Sequence, residues 1–303
     1  MPKCIFYIGK FKKLWDEECI ARSFEEMGIT VIRQEENEYG NQILAKIIEV
    51  KPDFVLFAKL QLANDPMWLI RELRKLKIPT VSWTFDLYFD YVREANVPYY
   101  AFMKADHVFT TDGGHEQKFA QNKINHHCLR QGIYEPEAIL MDGKKDIDVL
   151  FVGSDNPHHP YRGALMKFLE TNYKNFVWVG RQNSDEARSL KLNELFARAK
   201  VVIGDSVYSP HYWSNRVYES LGRGAFLITP DVPGLENEFK YFEHLVPYTL
   251  WDFVGLKKKI DHFLTHDEER ETIRKAGFEF TKENYTYKKR CEKLLQVITG
   301  TKE

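Results

Sequence analysis

In residues 209–236, SPHYWSNRVYESLGRGAFLITPDVPGLE, helix, strand and ligand chemistry agree more closely than elsewhere in the chain. At helical spacing Arg216, Glu219, Ser220 and Arg223 share one face, while Val217 and Leu221 turn elsewhere. A guanidinium at a helix start suits a diphosphate, because helix N-termini already favour negative charge. A carboxylate one turn later suits a ribose, because it accepts two hydroxyl donors at once. The same spacing fits a solvated face whose ion pairs contribute only about 0.2–0.5 kcal/mol each. Gly222 and Gly224 frame the helix end, and AFLIT (225–229) reads as a buried strand. PDVPGLE (230–236) then offers backbone N–H groups and Glu236 at the strand's carboxyl end, or is simply a turn.

Such a site needs a parallel sheet behind it, since open α/β sheets bind ligands outside the carboxyl ends of their strands. The chain supplies the pattern. CIFYI (4–8), TVIR (30–33), FVLFA (54–58), TVSWTF (80–85) and HVFTT (107–111) read as strands. Between the early ones lie amphipathic stretches marked by Ile20, Phe24 and Met27, by Ile43, Leu44, Ile47 and Ile48, and by Trp68, Leu69, Leu73 and Leu76. Residues 132–146 are polar and read as a linker. The rhythm restarts with IDVLFVGS (147–154), FVWVG (176–180) and VVIG (201–204), with helices near 161–172 and 190–198. Three tail helices follow, near 250–264, 267–280 and 285–299. The expectation is α/β, with two Rossmann-like domains whose parallel sheets face a central cleft. Their expected bounds are 1–131 and 147–282, with a final helix, 283–303, packing back on the first.

Bulk properties narrow the partners. The 303 residues carry a formal charge of -1, so no global charge draws the chain to nucleic acid or an acidic membrane. No apolar run approaches the ~20 residues of a membrane span. Cys4, Cys19, Cys128 and Cys291 are scattered, and no signal peptide is visible, so reduced thiols and a cytoplasmic location are expected. Metal signals are weak. Asp146-Ile147-Asp148 precedes its strand instead of following it, and the pairs His126-His127 and His158-His159 have no third ligand at zinc-like spacing. Gly9 and Lys10 end the first strand without a full GxGxxG. The aromatic group Trp83, Phe85, Tyr88, Phe89, Tyr91, Tyr99, Tyr100 and Phe102 reads as core, with some members free to stack on a sugar or base.

VLFVGS with Arg162, then SNRVYESLGRGAFLITPDVPGLE, then EERETIRKAGFEFTKENYTYKKR (268–290) together resemble the C-terminal domain of group-1 glycosyltransferases, most of all the CgeB-like branch. KPDFVLFAK, IPTVSWTFD and ADHVFTTD resemble the partner domain more loosely. The resemblance implies a GT-B fold and a nucleotide-sugar donor, with UDP favoured and no cofactor or metal. It places Glu219 on the donor ribose and Gly234, Leu235 and Glu236 toward the donor sugar or diphosphate. Gly153, Ser154, Arg162 and Arg216 fall near the phosphates, Trp178, Gly180 and Arg181 near the nucleotide, and Asn215 joins the donor-binding set. His211, a catalytic candidate, stands where many retaining relatives carry the first of two glutamates, a departure that leaves the stereochemistry open.

An inverting enzyme needs a base for the acceptor hydroxyl. Asp86 is a candidate, though it also suits a helix N-cap ahead of LYFDYV; Asp112 and His115 are others. Gly9, Lys10, Asp112 and His115 belong to the expected acceptor side. The acceptor stays open among a glycan, a small molecule, a protein and a modified DNA base, as does the oligomeric state. A non-hydrolysing nucleotide-sugar epimerase and a non-catalytic sugar- or nucleotide-binding protein are the alternatives.

Overall fold

The computed structural model describes residues 2–13, 15–155, 160–180 and 190–300. They form two units, one of Met1–Gln131 with Tyr287–Glu303 and one of Gly132–Thr286.

The first unit is built on β1 (Cys4–Gly9), β2 (Thr30–Glu35), β3 (Phe54–Phe57), β4 (Thr80–Thr84), β5 (His107–Thr110) and β6 (His126–Cys128). All neighbours pair in parallel, in the order β2-β1-β3-β4-β5-β6. Central strands of such a sheet are covered on both faces, so they read as unbroken apolar runs. Phe54 to Phe57 are accordingly all buried. Helices α1 (Asp16–Glu26), α2 (Gly40–Val50), α3 (Pro66–Lys75) and α4 (Glu116–Gln121) connect the strands. The start of α3 shows why its residues fold locally. Pro66 occupies the first turn, and Asp65 Oδ1 accepts the Met67 N–H at 2.8 Å. Leu69, Ile70 and Leu73 then enter one core with Phe6, Ile8, Val55 and Phe57.

The second unit carries β7 (Ile147–Val152), β8 (Phe176–Val179), β9 (Ala199–Ile203), β10 (Leu227–Pro230) and β11 (Val246–Tyr248), all parallel in the order β11-β10-β9-β7-β8. Its helices are α5 (Pro160–Asn172), α6 (Leu190–Arg198), α7 (Arg216–Gly222), α8 (Phe253–Thr265) and α9 (Asp267–Asn284). Apolar cores lie on both faces of the sheet. The chain leaves β7 toward β8 on one side and then returns to β9 on the other. The β7/β9 edge is therefore a topological switch point, where α/β sheets open a crevice. The first sheet reverses in the same way between β1 and β3.

Residues 132–146 are held against the second unit. Ile133 is fully buried against Gly222, where a Cβ would come within 2.8 Å of it. Leu140 occupies the space a Cβ would take at Gly224, whose φ of +75° also favours glycine. The final helix, α10 (Tyr287–Thr299), belongs to the first unit. Tyr287 Oη donates to Asp16 Oδ1 at 2.5 Å, and its ring meets Trp83 edge-on. Arg290 Nε donates to the Gln131 carbonyl at 3.0 Å. Among the described residues no helix is long and apolar enough to cross a membrane.

Candidate functional site

At the switch point of the second sheet, Gly153 and Ser154 follow β7 and Asp205 follows β9. Asp205 is 2% exposed and organises the site. Arg162, on α5, grips it with Nε at 2.6 Å and Nη2 at 3.2 Å, and donates Nη1 to the Ser154 carbonyl at 2.6 Å. Arg162 is thereby committed to closing the β7 loop onto the β9 loop. Arg216, at the start of α7, reaches the same carboxylate with Nη2 at 2.7 Å. Both guanidiniums lie over the Phe151 ring, at 5.6 and 5.7 Å. The cluster of two arginines and one aspartate carries a surplus positive charge.

Arg216 differs from Arg162 in what it leaves open. Its Nε is buried without a hydrogen-bond partner, and Asp205 is its side chain's only polar contact among the described residues. Burial pulls its pKa below the usual guanidinium value, opposed by Asp205, and the group stays cationic. Gly153 makes room for it: a Cβ there would lie 2.7 Å from Arg216 Nη1. The Trp178 indole steadies this loop by donating to the Gly153 carbonyl at 2.7 Å. Asn215 Oδ1 is likewise buried without a partner.

The helical face expected from periodicity divides. Arg216 turns to Asp205 and makes no pair with Glu219. Glu219 Oε2 instead accepts Arg223 Nε at 2.8 Å, an i,i+4 contact, and Arg223 is buried against Asn193 and Glu137. Glu219 Oε1 has no hydrogen-bond partner among the described residues, and the side chain is 24% exposed. So one oxygen is structural and the other is open to a ligand.

The β10 loop is less open than its sequence suggests. The Gly234 N–H is taken by Glu236 Oε2 at 2.8 Å. Leu235 is fully buried and its N–H bonds to the Val232 carbonyl, so it offers a ligand neither side chain nor N–H. His211 holds this loop to the β9 loop. Its N–H donates to the Pro233 carbonyl at 2.7 Å, and its ring occupies the space a Cβ would need at Gly234. Both residues have positive φ, +56° at His211 and +99° at Gly234, and only the glycine adopts it without strain. Arg181, His158 and His159 lie outside the described residues. Asp146 and Asp148 sit at the amino end of β7, where they pair with Arg198 at 2.9 Å and Lys200 at 2.7 Å.

In the first unit, no helix follows Asp86, so the N-cap reading is incorrect. Asp86 instead lies 2.6 Å from Lys59 Nζ and 3.4 Å from Arg93 Nη2. His115 Nδ1 meets both Asp112 oxygens at 2.9 Å, and its Nε2 meets Asp90 Oδ2 at 2.8 Å. Burial lowers the imidazole's pKa, but Asp112 and Asp90 outweigh it and the net shift is upward. With both ring nitrogens donating to carboxylates, His115 is a poor free base. Lys10 pairs with Glu36 at 2.8 Å, which raises its pKa. Gly9 abuts Glu17, whose carboxyl burial pushes up to about 7. His126 bonds to Thr110 Oγ1 and stacks on Phe119, and burial pushes its pKa down to about 3. Among the described residues no group of three or more His, Cys, Asp or Glu is placed to hold a metal ion.

Residues 140–296, which include the Asp205 cluster, match the family model described as "Glycosyl transferase-like". The chain belongs to this glycosyl transferase family. No curated protein sequence matches the glycosyltransferase. Solved structures do. Anabaena HepE in complex with UDP and glucose superposes with a TM-score of 0.71 at 11% identity, covering 99% of this chain and 100% of that one. Sucrose-phosphate synthase from Thermosynechococcus elongatus gives 0.69 at 12% identity, covering 98% of each. A Listeria monocytogenes protein described as a putative UDP-N-acetylglucosamine 2-epimerase gives 0.58 at 11%, covering 99% of this chain and 97% of that one. With two parallel-sheet α/β units and these neighbours, the glycosyltransferase has the GT-B fold that the resemblance implied.

Sequence reasoning missed Asp205, the residue that binds both arginines of the glycosyltransferase's site. The signal was available: VVIGDS ends a buried strand in a carboxylate, and a charge there needs partners. Phe151 was hidden, because nothing in VLFVGS distinguishes the ring beneath the guanidiniums from the other core positions.

Proposed function

We propose that the glycosyltransferase moves a hexosyl group from a nucleoside diphosphate sugar to a hydroxyl acceptor, with Arg216 meeting the diphosphate. One observation carries this reading: Arg216 is anchored by Asp205, yet its buried Nε has no hydrogen-bond partner and its Nη1 has none among the described residues, above a glycine that lets it approach. A part-buried guanidinium with unmet donors calls for an acceptor, and phosphate oxygens match its fork. Glu219 Oε1 takes the ribose hydroxyls. Gly153, Ser154 and Arg162 shape the phosphate cradle, Asn215 belongs to the donor-binding set, and Gly234 and Glu236 are assigned to the donor sugar or diphosphate on the family resemblance. Arg181 is assigned to the nucleotide on the family resemblance. His211 joins the sugar side by fixing the β10 loop.

In the reaction, the bond from sugar C1 to the diphosphate oxygen breaks and its electron pair leaves with the diphosphate. The acceptor oxygen bonds to C1 and releases its proton. Arg216 stabilises the charge growing on the leaving group, as preorganised donors do. Cationic side chains carry that charge with no metal, a reading supported by the engagement of Asp146 and Asp148 with Arg198 and Lys200 at the opposite sheet edge. For inversion, Asp86 takes the acceptor proton; for retention, the departing phosphate oxygen takes it. The UDP bound to Anabaena HepE motivates UDP as the probe.

Calorimetric titration with UDP tests the reading. Wild type should bind, and Arg216→Ala and Glu219→Ala should each bind about tenfold or more weakly. No binding by wild type at millimolar UDP, or undiminished binding by both variants, overturns it. Isomerisation of a UDP-sugar without acceptor, seen by NMR, would assign epimerase chemistry instead.

A further inference from the structure

Residues 133–140 run in step with the end of α7. Ile133 packs where a Cβ at Gly222 would lie, and Leu140 fills the same space at Gly224. Arg223 stands between the two glycines. Glu137 stands between the two aliphatic residues, and its carboxylate accepts from Arg223 Nη2. Asn193, on α6, accepts Arg223 Nη1 at 2.7 Å and donates Nδ2 to the Glu137 and Ile139 carbonyls at 2.8 and 3.0 Å. The Arg223 fork is therefore spent inside the unit, and the side chain is buried. Glu219 is met by Nε alone, at one oxygen, Oε2.

This orientation decides what Glu219 can do. A fork that faced Glu219 would take both carboxylate oxygens and leave none for a ligand. Held by Nε alone, Glu219 keeps Oε1, whose lone pairs suit two neighbouring hydroxyls. The grip also fixes the side chain before binding, and ordering a free glutamate would weaken binding about tenfold. A lysine could not do the same, because one ammonium nitrogen cannot span Asn193, Glu137 and Glu219. We propose that Glu137 and Arg223 are positioning residues. Glu137 turns the Arg223 fork inward, and Arg223 aims Glu219 Oε1 at the vicinal diol of a ribose. The site thereby selects ribonucleotide donors, since a site built to bind hydroxyls rejects an analogue that lacks them. This inference rests on the donor reading of Glu219 given above.

Calorimetric titration of the full chain with UDP and with 2′,3′-dideoxy-UDP tests this, with a thermal melt on every variant. Wild type should bind UDP about tenfold more tightly than the dideoxy form. Arg223→Lys should lose that preference and still bind 2′,3′-dideoxy-UDP as wild type does, whereas a purely structural role would weaken both ligands alike. In a Glu219→Ala background Arg223→Lys should change neither affinity. The double variant Glu137→Gln with Arg223→Gln leaves neither partner as an unpaired buried charge, so it guards against loss of folding, and it should lose the preference too. The proposal is overturned if wild type binds both ligands alike, if either variant keeps the preference, or if a variant weakens both ligands equally. The donor reading fails separately. No UDP binding by wild type, or a Glu219→Ala protein that keeps the preference, removes that reading and this inference with it. Loss of the preference in Glu219→Ala but not in Arg223→Lys removes this inference alone.

Discussion

Replacing Gly153 with alanine tests whether Arg216 must approach the β7 loop as closely as it does. The new Cβ would lie 2.7 Å from Nη1, and ordinary contact begins at 3.4 Å. Phe151 Cε1, 3.0 Å away, adds a second close contact for the methyl group. The guanidinium must therefore retreat by about 0.7 Å. A charged hydrogen bond to phosphate of about 2.8 Å would stretch to about 3.5 Å, beyond useful length. Losing one such bond costs about 1.5–3 kcal/mol, or roughly 10- to 150-fold in affinity. Isothermal calorimetry with UDP reads this directly. Overpacking should also cost about 1–3 kcal/mol of stability, so a melt must accompany the titration. A folded Gly153→Ala protein that binds UDP as tightly as wild type would refute the argument that Arg216 meets the diphosphate from this cradle.

Asp205→Asn should cost about 3–5 kcal/mol in urea unfolding, because Arg162 is 3% exposed and would keep a buried charge without its counter-ion. His115 gives a pH prediction. Its folded pKa is raised, so its contribution to stability is complete below the unfolded value of 6.5 and is lost as pH rises through the higher folded value. Urea midpoints should fall across that window, and His115→Gln should flatten the slope. Ending the chain after Thr286 removes α10 from Trp83 and Asp16, so hydrogen exchange should rise across β1 and α1 while β7 and β9 stay protected.

Most of the fold was legible in the sequence because buried parallel strands announce themselves as apolar runs. The exceptions are informative. β6 has three residues, two of them histidines, and β11 carries Pro247; both are edge strands, where sheets tolerate polar residues and proline. Helix α4 is only six residues long, too short for a clear period. Residues 132–146 read as a linker because their polar content hides Ile133 and Leu140, which fill the space left by Gly222 and Gly224. At the site, residue types were readable but pairings were not. Periodicity put Arg216 and Glu219 on one face; the carboxylate that claims Arg216 comes from another strand, and Glu219 is claimed by Arg223. Long-range partners of this kind leave no trace in local spacing.

The first unit is discontinuous, since it draws on both ends of the chain, whereas the second is a single run from Gly132 to Thr286. During synthesis the strands of the first sheet emerge before those of the second, yet they wait for α10 to cover α1 and Trp83. Of the two units, the one that begins first is thus completed second. Until then the apolar residues that α10 covers stay open to solvent, as incompletely folded units generally leave them.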